Sequence, residues 1–136
     1  MIDLARRAVA CERWQWLPGM LSLADDEGRR WRLVGRGRRP PAPVLEDAGN
    51  PIARRHGDAP RRSPRPELGE LLPDLTDPCT VGGVPSLVRS AYGDPWIRVE
   101  PTSSGWVCIY SKPAPGFPAN GDTEVEALVA ALECAP

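Results

Sequence analysis

The stretch WIRVEPTSSGWVCIYSK, residues 96–112, carries the clearest strand pattern in the chain. Apolar and charged residues alternate over 97–100, which is the two-residue period of a strand with one face in water. After the turn PTSSG, residues 106–110 are apolar or aromatic on both alternating sets, a pattern typical of a strand covered on both faces. The stretch therefore predicts a β-hairpin whose second strand, near 106–111, is central in a small sheet.

The final stretch, GDTEVEALVAALECAP (121–136), predicts a helix that packs on this hairpin. Thr123 and Glu126 have the spacing of a capping box, in which each side chain accepts a hydrogen bond from the backbone of the other. Four apolar residues then follow at helical spacing and form one stripe: Val125, Leu128, Val129 and Leu132.

A second helix is predicted over about 81–92, within ELGELLPDLTDPCTVGGVPSLVRSAYGDP (67–95). Apolar residues recur there at the spacing of one helix face, and Gly93 is placed to end the helix. Thr80 is the expected N-cap. A helix capped there needs the amide that Pro85 lacks, so either its regular part starts at Val84 or, as we expect, its first turn is distorted.

The N-terminal stretch predicts one more helix and one more hairpin. Asp3 is the expected N-cap of a helix that runs to about Trp14 and stops before a proline. Two short apolar runs, Met20–Leu23 and Trp31–Val34, flank a polar turn and predict a hairpin.

Residues 36–66 differ from the rest of the chain in composition. They hold seven of the 17 prolines and a local net charge of +5, in a chain whose formal net charge is −1. So few aliphatic residues cannot bury enough apolar surface to offset the ordering of the backbone, which costs about 1–2 kcal/mol per residue. We therefore expect a flexible, irregular insertion within one domain that spans residues 1–136.

The predicted fold class is α+β. A small antiparallel sheet of two hairpins packs with about three helices in an α/β/α sandwich-like arrangement, and a long disordered or irregular loop occupies the centre of the sequence.

The cysteines and the hydropathy bear on the cellular compartment. No CxxC pair occurs, and no apolar signal-type segment precedes the first cysteine, so a cytoplasmic protein with reduced structural thiols is expected. No run approaches the roughly 18–20 apolar residues of a membrane span. The four cysteines are Cys11, Cys79, Cys108 and Cys134.

The residues that carry most enzyme chemistry are sparse. His56 is the one histidine and lies in the arginine- and proline-rich segment, so a nucleophilic site that needs an imidazole is not expected. Residues 25–27 are acidic but fit a solvated turn, and Asp74 and Asp77 are expected to serve the start of the second helix rather than a metal. VGGVPS lacks the lysine and spacing of a phosphate-binding loop. We therefore expect no catalytic residues, no cofactor and no metal.

The tryptophans and arginines are the candidates for a binding surface. Trp96 and Trp106 fit the core of the hairpin. Trp14, Trp16 and Trp31 cluster near the first helix and hairpin, where they either pack in the core or form an aromatic surface patch of the kind that suits an interface. The arginine candidates for partner binding are Arg54, Arg55, Arg61, Arg62 and Arg65.

Four stretches of the chain resemble the small phage and prophage proteins grouped as the phage ABA sandwich family. They are RAVACERWQWLPGM, LPDLTDPCTVGGVPSLVRSAYGDP, IRVEPTSSGWVCIYS and DTEVEALVAALECAP, and the resemblance is clearest over residues 72–136. The resemblance implies an α/β/α layered fold and a phage or prophage origin, and it implies no catalytic residue.

Two functions remain as hypotheses. The first is a non-enzymatic phage or prophage accessory protein that binds a host or phage macromolecule, most often a protein, with inhibition of a host factor or defence system as one form. The alternative is a nucleic-acid-binding accessory protein, in which the arginine-rich loop neutralises phosphates.

Overall fold

A computed structural model of the chain describes residues 1–26, 28–36, 43–49, 66–111 and 118–136. These residues form three α-helices and two small antiparallel sheets, and the predicted α+β class is confirmed. The elements in chain order are α1 (Ile2–Ala10), β1 (Trp31–Arg36), β2 (Pro43–Asp47), α2 (Pro78–Tyr92), β3 (Arg98–Thr102), β4 (Gly105–Ile109), β5 (Asn120–Gly121) and α3 (Glu124–Glu133).

Helix α3 forms the centre of the main core. Its capping box is present as predicted, because the Glu126 N–H donates to Thr123 Oγ1 over 3.3 Å and the Thr123 N–H donates to Glu126 Oε2 over 3.0 Å. All four residues of the predicted apolar stripe are buried. The helix contacts strands β3–β5 and also α1 and α2. The predicted docking of this helix on the hairpin is therefore confirmed.

The predicted hairpin is the pair β3–β4, joined by a tight turn between Thr102 and Gly105. Strand β4 lies between β3 and β5, so the prediction of a central second strand is confirmed. Val99 and Cys108 lie opposite each other and face the core. Because successive residues alternate sides of a strand, their neighbours face away from it.

Helix α2 begins earlier than predicted, and its N-cap is Asp77 rather than Thr80. The Asp77 carboxylate accepts the Thr80 N–H over 2.9 Å, and Pro78 occupies the first turn, where no amide is needed. The prediction of a Thr80 cap is wrong for this reason. Pro85 lies inside the helix, which continues to Tyr92 and ends at Gly93, as predicted, in a left-handed conformation with φ of 59°.

Helix α1 both begins and ends earlier than predicted. Met1 stands at the N-cap without a side-chain bond, so the assignment of Asp3 to that position is wrong. The helix ends at Ala10 rather than near Trp14. Trp14 and Trp16 contact each other, with ring centroids 6.2 Å apart, and both pack against the core. Residues two apart on a helix do not face each other, so this contact needs a non-helical backbone.

The N-terminal hairpin pairing is confirmed, but β1 has a second partner. The Ser22 N–H donates to the Trp31 carbonyl over 2.8 Å, and the Leu33 N–H donates to the Met20 carbonyl over 2.9 Å. On its other side β1 pairs with β2 in an antiparallel ladder, with a register shift between Leu33 and Gly35.

The prediction of irregular structure across 36–66 is wrong at Pro43–Asp47, which forms β2. Leu45, only 3% exposed, completes a second hydrophobic cluster with Trp31, Leu33 and Leu71. Leu45 is thus ordered, although the segment around it is polar, because it packs against apolar residues that lie outside that segment. The rest of the predicted insertion, 37–42 and 50–65, lies outside the described residues.

Within the part of the chain that the structure describes, no helix is both long enough and apolar enough to cross a membrane.

Candidate functional site

Trp96 is the most exposed large apolar side chain among the described residues, with 73% of its surface accessible. The prediction that it fills the hairpin core is wrong, whereas Trp106 is half-buried. Trp96 lies in a turn before β3, and the residue of this turn that enters the main core is its neighbour Ile97, which is 1% exposed. Tryptophan is highly buried on average, so an exposed tryptophan is a candidate for a binding residue.

The backbone beneath Trp96 is held by a buried carboxylate. Asp94 is 3% exposed. Its Oδ1 accepts the Trp96 N–H over 3.0 Å and the Ser111 hydroxyl over 2.7 Å, and its Oδ2 accepts the Ser111 N–H over 2.9 Å. On the other side, Arg89 Nε donates to the Ile97 carbonyl over 2.9 Å. We call residues 94–97 the Trp96 turn.

The Trp96 turn leads directly into an outward-facing surface on β3 and β4. Arg98 and Glu100 are exposed and form an ion pair with an Nε–Oε1 distance of 2.6 Å. They lie opposite Ile109 and Val107, which are half-buried. Directly opposite residues share a face of the sheet, so two charged and two aliphatic side chains lie together here, on the side away from Val99 and Cys108.

The edge of β3 that no described strand covers suits side-chain contacts better than strand addition. In the β3–β4–β5 sheet, β3 is an edge strand. Pro101 lies within it and has no N–H to offer to an added strand. A partner on this side would therefore bind through side chains, with Trp96 the largest of them.

The three tryptophans that were candidates for a surface patch lie mainly inside the protein. Trp31 is 7% exposed, its Nε1 donates to Asp25 Oδ2 over 3.1 Å, and the Arg29 guanidinium lies 5.4 Å from the ring centroid. Trp14 and Trp16 are half-buried, and Trp16 packs against both hydrophobic clusters. The structure thus brings these residues close together as packing groups, and Trp31 in particular does not offer a surface.

The five candidate arginines, Arg54, Arg55, Arg61, Arg62 and Arg65, lie in 50–65, outside the described residues. The described residues themselves contain nine arginines and sixteen acidic residues, a net charge of −7. The part of the chain with an assigned structure is therefore acidic, which is unfavourable for contact with phosphates.

A polar groove of about 480 Å³ lies where β1 meets the start of α2. Arg30 pairs with Asp74, and Arg32 pairs with Asp77 over 3.2 Å. Asp74 also accepts the N–H and hydroxyl of Thr76, over 2.9 and 2.6 Å. Both carboxylates thus hold the loop before α2 and its first turn, as expected from the sequence.

The electrostatics of Asp77 fit this structural role. Burial acts to raise its pKa, but the hydrogen bonds from the Thr80 backbone and hydroxyl, together with Arg32, lower the pKa below its ordinary value. Across the described residues, no group of three or more His, Cys, Asp or Glu side chains is arranged to hold a metal ion. The groove is best understood as a joint that ties the β1–β2 sheet to α2.

No protein-family model matches the chain, and no curated protein and no solved structure does so. The choice of a site therefore depends on the geometry alone, and the Trp96 turn is the feature that packing leaves unexplained. A sequence signal for it existed: Gly93 ends a helix, Asp94 and Pro95 make a turn, and the strand period places Ile97 inward and Trp96 outward.

Proposed function

We propose that the protein is a non-enzymatic accessory protein that binds a protein partner through the surface formed by the Trp96 turn and the outward face of β3 and β4. A phage or prophage origin and a cytoplasmic site of action belong to this proposal. They are supported only by sequence features, chiefly the resemblance to the phage ABA sandwich family. Inhibition of a host factor or defence system is one form that the binding would take.

The observation that carries the proposal is an exposed indole on a backbone that is already ordered. Tryptophan is enriched among the residues that dominate binding energy at protein interfaces. Asp94 and Arg89 hold the backbone on both sides of Trp96. Association then orders few further degrees of freedom, and ordering is a main cost of binding.

The surroundings of Trp96 favour a protein over a nucleic acid. Arg98 is paired with Glu100, and the described residues carry a net charge of −7. A nucleic-acid function would have to depend on the arginines of 50–65, which give affinity without sequence specificity.

The test is an affinity capture from host lysate that compares the wild-type chain with two single variants. Trp96→Ala removes the exposed indole, and Val34→Ala is the matched control, because Val34 is an exposed apolar residue on the other sheet. The proposal expects a partner that binds wild type and V34A equally and binds W96A roughly 30-fold more weakly, the effect of a loss of about 2 kcal/mol.

Two results would contradict the proposal. One is a partner that W96A binds as tightly as wild type does. The other is micromolar binding to generic duplex DNA whose affinity falls steeply with salt and is unchanged in W96A, which would support the nucleic-acid alternative instead.

A further inference from the structure

Two contacts tie the end of α1 to the end of α3. The Arg7 guanidinium donates two hydrogen bonds to the Glu133 carboxylate, over 2.8 and 2.7 Å. Arg13 donates to the carbonyl oxygen of Pro136. The chain segments 7–13 and 133–136 are therefore held side by side at both of their ends.

Each of these two segments contains one cysteine. Cys11 lies between the two arginines, and Cys134 lies between Glu133 and Pro136, at the C-cap of α3. Both thiols are free. Cys11 lines a groove of about 350 Å³ together with residues from the end of α3 and the segment after it: Leu132, Glu133, Ala135 and Pro136.

The two thiols differ in accessibility. Cys134 is exposed, so a reagent in solution reaches it. Cys11 is half-buried, and its thiol donates to the Arg7 carbonyl over 3.2 Å. Burial and the negative charge of Glu133 raise the pKa of Cys11, Arg7 acts to lower it, and Cys134 adds a further rise. Cys11 is therefore slow to react with a reagent from solution, although Cys134 is close enough to affect its charge.

We propose that Cys11 and Cys134 form a redox modification site, at which a small-molecule disulfide such as oxidised glutathione converts the two thiols into one reversible disulfide between the ends of α1 and α3. The proposal is independent of the partner-binding function.

The chemistry proceeds in two exchange steps. The Cys134 thiolate attacks one sulfur of oxidised glutathione, the glutathione S–S bond breaks, and one glutathione thiolate leaves and takes up a proton. The Cys11 thiolate then attacks Cys134 Sγ in the mixed disulfide and releases the second glutathione thiol. The protein loses two electrons and two protons, and both appear on the two molecules of reduced glutathione.

The neighbouring thiol makes the second step efficient. A tethered group has an effective concentration of about the millimolar range. At micromolar protein and low free glutathione, attack by Cys11 then outruns the reverse attack by released glutathione. The mixed disulfide on Cys134 is expected to be at least about tenfold shorter-lived than it is without Cys11.

The experiment uses the full chain with Cys79→Ser, which removes the other exposed thiol and leaves the buried Cys108 in place. The folded protein is incubated with oxidised glutathione, quenched in acid, alkylated and analysed by intact mass and peptide mapping. The expected product has two fewer alkylated thiols than the reduced chain, yields a peptide pair joined through Cys11 and Cys134, and returns to the dithiol form with a reductant. Its thermal unfolding midpoint should exceed that of the reduced chain, since the disulfide closes a long loop.

Two matched variants distinguish the roles of the thiols. Cys11→Ser should accumulate glutathione on Cys134, and Cys134→Ser should react slowly and give no internal disulfide. Cys11→Ala repeats the first test if the serine disturbs folding. A stable mixed disulfide on Cys134 in the presence of Cys11, or a cross-link that involves Cys108, would overturn the proposal.

Discussion

The hold of Asp94 on the Trp96 turn can be tested by Asp94→Ala. The substitution removes at least the hydrogen bonds from the Trp96 N–H and from both the N–H and hydroxyl of Ser111. A hydrogen bond to a charged group contributes about 1.5–3 kcal/mol net, but Trp96 and Ser111 lie at the surface, where water can replace the lost acceptor. We therefore expect the free energy of unfolding to fall by about 2–4 kcal/mol.

The assay is equilibrium urea unfolding followed by circular dichroism, with three control variants. Ser111→Ala removes only the hydroxyl bond and should cost about 1 kcal/mol. Asp122→Ala removes an exposed carboxylate and Trp96→Ala an exposed indole, so each should change stability by less than about 0.5 kcal/mol. If Asp94→Ala were no more destabilising than Asp122→Ala, the turn would not depend on Asp94, and the argument from an ordered backbone would fail.

Four further substitutions and a deletion test the fold. Gly121→Ala would place a Cβ 2.4 Å from a backbone nitrogen of α3 and should lower the free energy of unfolding in urea by about 1–3 kcal/mol. Gly82→Ala, which has open space at its Cβ, should raise the free energy of unfolding by about 0.5–1 kcal/mol. Equal effects of the two substitutions would contradict the close packing of Gly121 on α3. Leu45→Ala should lower the free energy of unfolding by about 2–5 kcal/mol because Leu45 is buried. Deletion of 51–64 should leave the thermal unfolding midpoint nearly unchanged, because the composition of this segment predicts no core contact. A deletion more destabilising than Leu45→Ala would refute β2 as a core strand. The pKa of Asp77 is lowered in the folded state, so the stability that its carboxylate contributes is present above the unfolded pKa of about 3.9 and is lost as the pH falls through the folded pKa. Asp77→Asn should therefore flatten the acid side of a profile of unfolding free energy measured from about pH 5 to pH 2. An unchanged slope would argue against the pairing of Asp77 with Arg32.

The ends of the helices were predicted correctly where the nearby sequence offered a single capping arrangement. The capping box of α3 is formed by Thr123 and Glu126, and the apolar stripe that follows has one possible buried side. At the start of α2, however, Asp77 and Thr80 are both good capping residues. Thr80 Oγ1 accepts the Leu21 N–H over 2.8 Å, so a contact with a distant segment orients this hydroxyl while Asp77 caps the helix.

The burial of the tryptophans, which decides the candidate site, likewise depends on contacts between distant segments. Trp31 had core packing and a surface patch as alternatives, whereas Trp96 was predicted to fill the hairpin core. In the structure Trp31 is buried because β2 contributes Leu45 to a cluster around it, and no described element covers Trp96. Burial of a large side chain depends on what packs against it, and the strand β2 that decides the case of Trp31 lay in a segment predicted to be irregular.

The sequence alone determined the α+β class, the β3–β4 hairpin, the capped helix α3 and the end of α2 at Gly93, because strand alternation, capping boxes and left-handed glycines are interactions between residues close along the chain. Only the tertiary structure decided which tryptophan is exposed, which aspartate holds the Trp96 turn, and that Cys11 and Cys134 occupy neighbouring segments. These features join residues as far apart as 7 and 133, and their free energy comes from burial and ion pairing between elements, which no local pattern encodes.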